Sequence, residues 1–350
     1  MRVLIITQKV DRDDPVLGFF HEWIRAFSGN FAAVTVICLE KGRSDLPAHI
    51  QIHSLGKETK RSRLRYLLRF YSRIWRERNT YDAVFVHMNE EYMLLGAPLW
   101  KVLGKKVGFW RNHAMGGLRT RLAIALADAV FCTSPQSYTA QFSKTRLMPV
   151  GVDTEYFSPR NPASRTPDSI LCLGRISPVK NIDLFIGALA LLDRENIRFR
   201  ASIIGSPVSP RDTAYNLALK DTAAFLKEKV VFEPAVAQSQ AADIYRRNEV
   251  FVNLTGEGSF DKTIIEAMAC ETLTLVSNSQ ILAGIDPEVQ KAVTFKEKDP
   301  EDLARKIMEL RRLPSDRLAH IRKQGREFAV SRHSLAKLAQ DLSVIFAEMK

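Results

Sequence analysis

Short, β-branched apolar runs alternate along the whole chain with stretches whose apolar residues recur at helical spacing. In the first half this pattern predicts strands near 2–7, 33–39, 82–87, 106–110 and 128–133. Helices are predicted near 17–28, 61–78, 91–103, 117–127 and 135–142. The second half repeats the rhythm, with strands near 169–173, 199–205, 229–233, 249–255, 272–277 and 292–295 and helices between them. Val84-Phe-Val86 and Leu171-Cys-Leu173 are continuously apolar rather than alternating, as strands covered on both faces are. Alternating strands and helices of this kind predict an α/β fold of parallel sheets with helices on both faces.

The stretch from Tyr156 to Asp168 carries Pro159, Pro162 and Pro167 and little apolar content, which marks it as a linker. It divides the chain into two Rossmann-like domains, 1–160 and 161–335, expected to face each other across a cleft. From Asp299 onward the pattern is almost wholly helical. Leu303, Ile307 and Leu310 form one apolar row and Leu335, Leu338 and Leu342 another, with Pro314 parting the first helix from the next.

Composition narrows the class. An apolar content of 46% and a charged content of 26% are those of an ordinary globular protein. Cys38, Cys132, Cys172 and Cys270 sit in or beside apolar runs with no metal or redox spacing, and read as buried free thiols in a reducing compartment. The start, Met1 to Thr7, is apolar only briefly before Lys9 and Asp11, whereas a secretory signal needs an apolar run of roughly 7–15 residues. No apolar run approaches the ~20 residues of a membrane span. A cytoplasmic location is therefore expected.

The net charge of +12 calls for an anionic partner. Nine cations, Lys57, Lys60, Arg61, Arg63, Arg65, Arg69, Arg73, Arg76 and Arg78, crowd into 57–78, with Leu64, Leu67, Leu68, Tyr71, Ile74 and Trp75 at helical spacing. The apolar stripe is expected to pack on the first sheet, leaving the basic face for an anionic membrane surface. No nucleic-acid-binding motif accompanies the charge, so a nucleic-acid partner is not expected. No Gly-x-Gly-x-x-Gly follows the first strand, which argues against a dinucleotide-dependent dehydrogenase.

Three stretches carry candidate chemistry. Val250 to Cys270 reads as strand, glycine-bearing loop and helix: Gly256 and Gly258 permit close approach, the helix N-terminus suits a diphosphate, and Lys262 adds charge. Glu266 reads equally as a ligand-binding acid or as the distal member of a Thr263-Ile-Ile-Glu266 capping box. In Ile170 to Asp183, Gly174 turns the chain after a strand, and Arg175 and Lys180 flank the loop that follows, where two cations can clamp a diphosphate or stand solvated. In Gly108 to Gly117, His113 lies between a strand and a helix, a candidate hydrogen-bond donor to substrate. Near the start, Gly18 can let backbone approach a ligand. Asp11-Arg-Asp13 has the spacing of a metal-holding acidic pair, but two acids in a polar loop are commonplace, and no metal or other cofactor is expected.

Taken together, Leu173 to Asp183, Pro149-Val-Gly-Val-Asp-Thr-Glu-Tyr-Phe157 and Glu266-Ala-Met-Ala-Cys270 resemble the family 4 retaining glycosyltransferases of GT-B fold, in order and spacing over nearly the whole chain. Val86 to Tyr92 and Trp110 to His113 are similar to one bacterial branch of that family. The resemblance implies an acceptor-side first domain, a nucleotide-sugar-binding second domain, and a last helix, within 336–350, crossing back to the first. It implies transfer of a hexose-type sugar from a nucleotide-sugar donor to a glycan or lipid-linked acceptor of cell-envelope or exopolysaccharide synthesis. The alternative is an epimerase or hydrolase acting on a sugar nucleotide in the same fold.

By the same resemblance, Arg175 and Lys180 hold the donor diphosphate after Gly174, Lys262 and Thr263 lie by the distal phosphate, and Glu266 accepts from the ribose hydroxyls. His113 contacts the donor sugar, Gly18 walls the phosphates, and the base lies near Pro234 to Val236. No nucleophile–base pair for a covalent intermediate is visible. A single-face oxocarbenium-like transfer follows, with Arg175, Lys180 and the helix N-terminus stabilising the leaving diphosphate. The chain departs from the family at one point: eight positions before Glu266, where a second acid is usual, stands Gly258, with Glu257 one position off and Asp261 at a usual glycine position. Either the flanking glycines let the loop shift so that Glu257 reaches the sugar, or the backbone N–H groups of Gly258 and Ser259 serve it; the second is expected, because Phe260 aligns without a gap.

Overall fold

The computed structural model describes residues 1–14, 16–60, 62–160, 165–256 and 260–349. The chain forms two compact units, Met1–Gly151 with Leu335–Lys350, and Val152–Ser334.

The first unit holds seven parallel strands: β1 (Arg2–Val10), β2 (Ala33–Lys41), β3 (Gln51–Ser54), β4 (Ala83–His87), β5 (Lys106–Trp110), β6 (Ala129–Cys132) and β7 (Thr145–Leu147), in the order β3-β2-β1-β4-β5-β6-β7. Its helices are α1 (Gly18–Ser28), α2 (Arg63–Arg76), α3 (Glu90–Val102), α4 (Leu118–Leu126) and the chain-terminal α12 (Leu335–Glu348). Side chains alternate across a strand, so each strand feeds two cores. Val3 and Ile5 of β1, with Ala83 and Phe85 of β4, meet α1 and α12 on one face. Leu4 and Ile6, with Val84 and Val86, meet α2, α3 and α4 on the other. The continuously apolar runs follow from this double burial.

The final helix packs on the first unit as the resemblance implies. Phe346 is fully buried against Phe31, Phe85 and Phe131, and Leu338 and Leu342 are buried with it. Trp23 of α1 donates its indole N–H to the Gly151 carbonyl at 2.8 Å. Trp23→Phe should leave that buried carbonyl unpaired and cost about 1–3 kcal/mol. The midpoint of chemical unfolding reads this loss, and an unshifted midpoint would show that the bond contributes nothing.

The second unit holds β8 (Thr166–Leu173), β9 (Arg200–Ile204), β10 (Val230–Glu233), β11 (Asn248–Asn253) and β12 (Leu273–Val276) in the order β10-β9-β8-β11-β12, all parallel. Its helices are α5 (Ile182–Arg194), α6 (Pro210–Ala223), α7 (Gln238–Arg247), α8 (Lys262–Ala269), α9 (Pro287–Val293), α10 (Pro300–Arg312) and α11 (Ser315–His333). Both sheets reverse their strand order once, beside β1 and beside β8, and such switch points open a crevice at the strands' carboxyl ends. Tyr156 to Ser158 fasten onto this unit: the Arg246 guanidinium donates to the carbonyls of Ser158 and Tyr156 at 2.6 and 2.5 Å.

Three local expectations are corrected. The strand near 292–295 is the end of α9 followed by an isolated bridge from Thr294 to Val276; Asp286 caps that helix and Pro287 opens it. The helix near 135–142 is a short 3₁₀ segment, Tyr138–Gln141. The apolar stripe of α2 packs only in part. Phe70 and Ile74 are buried, whereas Leu64, Leu68 and Trp75 are 65%, 61% and 52% exposed among the cations. Arg61 lies outside the described residues.

Candidate functional site

The crevice at the β8–β11 switch point brings together Gly174, Arg175 and Lys180. β8 ends at Leu173, and Gly174 turns the chain with φ +149°, a conformation that strains any side chain. Arg175 follows, exposed and without a hydrogen bond or ion pair among the described residues. Lys180 ends a 3₁₀ segment, Pro178–Lys180, and reaches across to β11 and α8. Its ammonium donates to Thr255 Oγ1 at 3.2 Å and forms a close ion pair with Asp261.

Asp261 is the N-cap of α8, accepting from the Thr263 amide at 3.3 Å. It also accepts from Asn253 Nδ2 at 2.8 Å and from Thr255 Oγ1 at 3.1 Å. Burial alone would raise this carboxyl. The Lys180 ammonium and the hydrogen bonds from Asn253 and Thr263 together outweigh it and hold Asp261 well below the usual carboxylate range. The pocket lined by Gly174, Arg175, Lys180, Thr255 and Asp261 closes down to about 10 Å³.

Glu266 does not close a capping box. Asp261 caps the helix, which puts Glu266 beyond its first turn. At 4% exposure, Glu266 accepts from Gln238 Nε2 at 3.0 Å and from the Tyr245 hydroxyl at 3.2 Å, and pairs with Lys262 at 3.3 Å. Burial, and next the Glu266 charge, push the Tyr245 hydroxyl well above its ordinary value, so it stays protonated and donates. Val236 is half-buried in the loop between β10 and α7, two residues before Gln238. The Thr263 hydroxyl accepts from Asn253 at 3.1 Å. Gly258, Ser259 and Glu257 lie outside the described residues.

His113 and Gly18 belong to the first unit. His113 is exposed after β5, and its Nδ1 stands 3.1 Å from the Met115 amide and 3.0 Å from the Met115 carbonyl oxygen, so whether it accepts or donates there follows the ring tautomer. Gly18 opens α1, where an added Cβ would meet the Arg12 carbonyl oxygen at 3.0 Å. That gives this glycine a packing reason of its own. His87, in the family-like segment 86–92, is a core residue: it stacks on Phe20 at 3.9 Å, and burial pushes its imidazole down to about 3. A cavity of about 520 Å³ lies beneath α2, walled by Leu55, Leu67, Phe70 and Leu95, with Arg63 and Gln8 on its lining.

Asp11 pairs with Lys9 at 3.3 Å and Asp13 with Arg43 at 3.4 Å. Among the described residues no group of three or more His, Cys, Asp or Glu could hold a metal ion, and no helix is long and apolar enough to cross a membrane. The four cysteines are buried and unpaired, and burial is what pushes the Cys172 and Cys270 thiols up to about 12. Asp261, Thr255, Gln238 and Tyr245 escape motif reading, although an aspartate just before a helix is a recognisable cap.

The family model of the glycosyl transferases group 1 matches residues 153–328. The D-inositol 3-phosphate glycosyltransferase of Kineococcus radiotolerans is 34% identical over 150 residues, 39% of this chain and 34% of that protein. The mannosylfructose-phosphate synthase of Agrobacterium fabrum is 29% identical over 170 residues, 43% of this chain and 37% of that protein. The chain thus spans about a third of the length of these curated relatives. Among solved structures, HepE of Anabaena in complex with UDP-glucose superposes with a TM-score of 0.77 over 99% of this chain and 100% of that one at 14% identity, which shows the shared GT-B fold.

Proposed function

Because the chain belongs to the glycosyl transferases group 1, we propose that it moves a hexose-type sugar from a nucleotide-sugar donor, with retention and without a metal ion, to a glycan or lipid-linked acceptor in cell-envelope or exopolysaccharide synthesis. The observation that carries this reading is the β8–β11 crevice, where Lys180 and Arg175, the latter without an ion-pair partner among the described residues, line one pocket with Asp261, the N-cap of the helix that carries the buried carboxylate of Glu266. Arg175 and Lys180 bind the donor diphosphate, Lys262 and Thr263 lie by the distal phosphate, and Glu266 accepts from the ribose. The base rests by Val236, and Gly258 and Ser259 serve the sugar through backbone. His113 contacts the donor sugar, and Gly18 lets backbone approach the phosphates. Charge growing on the leaving diphosphate is met by preorganised cations, and that diphosphate takes the acceptor's proton. The UDP-glucose complex of HepE supports a nucleotide sugar as donor. The names of both relatives, a transferase and a synthase, favour transfer over epimerisation or hydrolysis.

The test is a thermal-shift screen with UDP-, GDP- and ADP-sugars. A donor at 100 times its dissociation constant stabilises by about 2.7 kcal/mol. A chain that none of the three stabilises would not be a nucleotide-sugar enzyme of this kind.

The acceptor side of the proposal rests on α2. Leu64, Leu68 and Trp75 stand exposed with Arg63, Arg65 and Arg76, the make-up of a helix that lies in a membrane interface. The apolar cavity beneath α2 suits the hydrocarbon part of a lipid-linked acceptor. The protein should therefore pellet with anionic liposomes at low salt and be released as salt rises, at ~1 kcal/mol per charge near the surface. Failure to pellet at low salt would remove the peripheral placement on the inner membrane face.

A further inference from the structure

We propose that Asp261 is a built-in competitor for the donor's diphosphate, holding the Lys180 ammonium and the α8 amide that the diphosphate needs and so hastening release of the nucleotide diphosphate left after transfer. The proposal rests on the donor reading above.

A helix N-terminus and a lysine form the usual ligand set of a phosphate. Here that set is already filled from within: the Asp261 carboxylate takes Lys180, the Thr263 amide, Asn253 and Thr255. Lys262 is likewise paired with Glu266. Of the three cations Arg175, Lys180 and Lys262, Arg175 alone lacks a carboxylate partner among the described residues. The pocket at Lys180 has room for about one water. An anion that takes the ammonium there competes with the carboxylate for it. Asp261 stays ionised, because Lys180 and its hydrogen bonds overcome the effect of burial. A diphosphate that binds Lys180 therefore weakens a charge-assisted pair, and the pair recovers as the diphosphate leaves. Product release limits many transferases that close around their substrates, and a returning internal anion speeds that step.

The experiment measures the equilibrium and dissociation rate of UDP, GDP and ADP on the whole chain. Asp261→Asn removes the charge but keeps the cap, since asparagine caps as well as aspartate. Affinity for the diphosphate that binds should rise about tenfold and its dissociation should slow by a similar factor, with KM and kcat both falling. Asp261→Ser, which also caps, should behave alike and guards against a folding defect particular to one variant. Unchanged or weaker binding in both variants would overturn the inference while leaving the donor reading in place. Absence of binding by any of the three to the wild-type chain would instead sink the donor reading, and this inference with it.

Discussion

Replacing Arg175 by alanine is expected to lower kcat/KM for the nucleotide sugar at least a hundredfold while leaving the fold intact. Lys180 is neutralised by Asp261 and Lys262 is paired with Glu266, so the available positive charge at the end of β8 is the Arg175 guanidinium. A charge-assisted hydrogen bond contributes ~1.5–3 kcal/mol. A guanidinium fork can make two such bonds to one phosphate, so losing both costs about 3 kcal/mol or more, over a hundredfold. Because Arg175 is exposed and bonded to no described residue, its removal strands no buried partner. Arg175→Lys keeps the charge but not the fork and should recover only part of the loss. A steady-state assay with the donor found by the thermal screen decides the matter. Activity within threefold of wild type in Arg175→Ala would remove this residue from the donor site.

Glu266→Gln should weaken nucleotide binding ten- to a hundredfold, because one or two charge-assisted bonds to the ribose become neutral ones. The structure removes the competing explanation for such a loss: α8 is capped by Asp261, so the helix does not depend on Glu266 for its first turn. The glutamine side chain fills the same volume and still accepts from the Tyr245 hydroxyl, which keeps the fold. Glu266→Ala goes further, leaving Gln238 and Tyr245 without their acceptor, and should lower thermal stability as well. Isothermal titration with the nucleotide diphosphate separates the effects. Full affinity in Glu266→Gln would confine this carboxylate to an internal role, holding Gln238, Tyr245 and Lys262.

The architecture was legible because doubly covered strands must be apolar throughout, as Val84 to Val86 are. The edge strands β3 and β7 were not, since Gln51-Ile-His-Ser54 and Thr145-Arg-Leu147 each hold one apolar residue. Periodicity placed Ile74 of α2 inward correctly but also turned Leu64, Leu68 and Trp75 inward. It cannot tell an apolar stripe that packs from one that waits for a partner. At the site, cations at a strand's end and an acid on the following helix were readable as a group. The bond between Lys180 and Asp261 was not, because it joins residues 81 apart in the chain and no local pattern records it. The family's spacing points to Gly258, whereas the carboxylate that pairs with Lys180 stands three positions later, as a helix cap.

The central claim is that the β8–β11 crevice holds a nucleotide sugar through its diphosphate and ribose. A crystal structure of the chain soaked with the diphosphate selected by titration tests it most directly. The account predicts phosphate oxygens about 3 Å from the Arg175 guanidinium and from the Lys180 ammonium, with the ribose hydroxyls at hydrogen-bond distance from Glu266. A diphosphate bound elsewhere, with Glu266 bonded to Gln238 and Tyr245 alone, would contradict it.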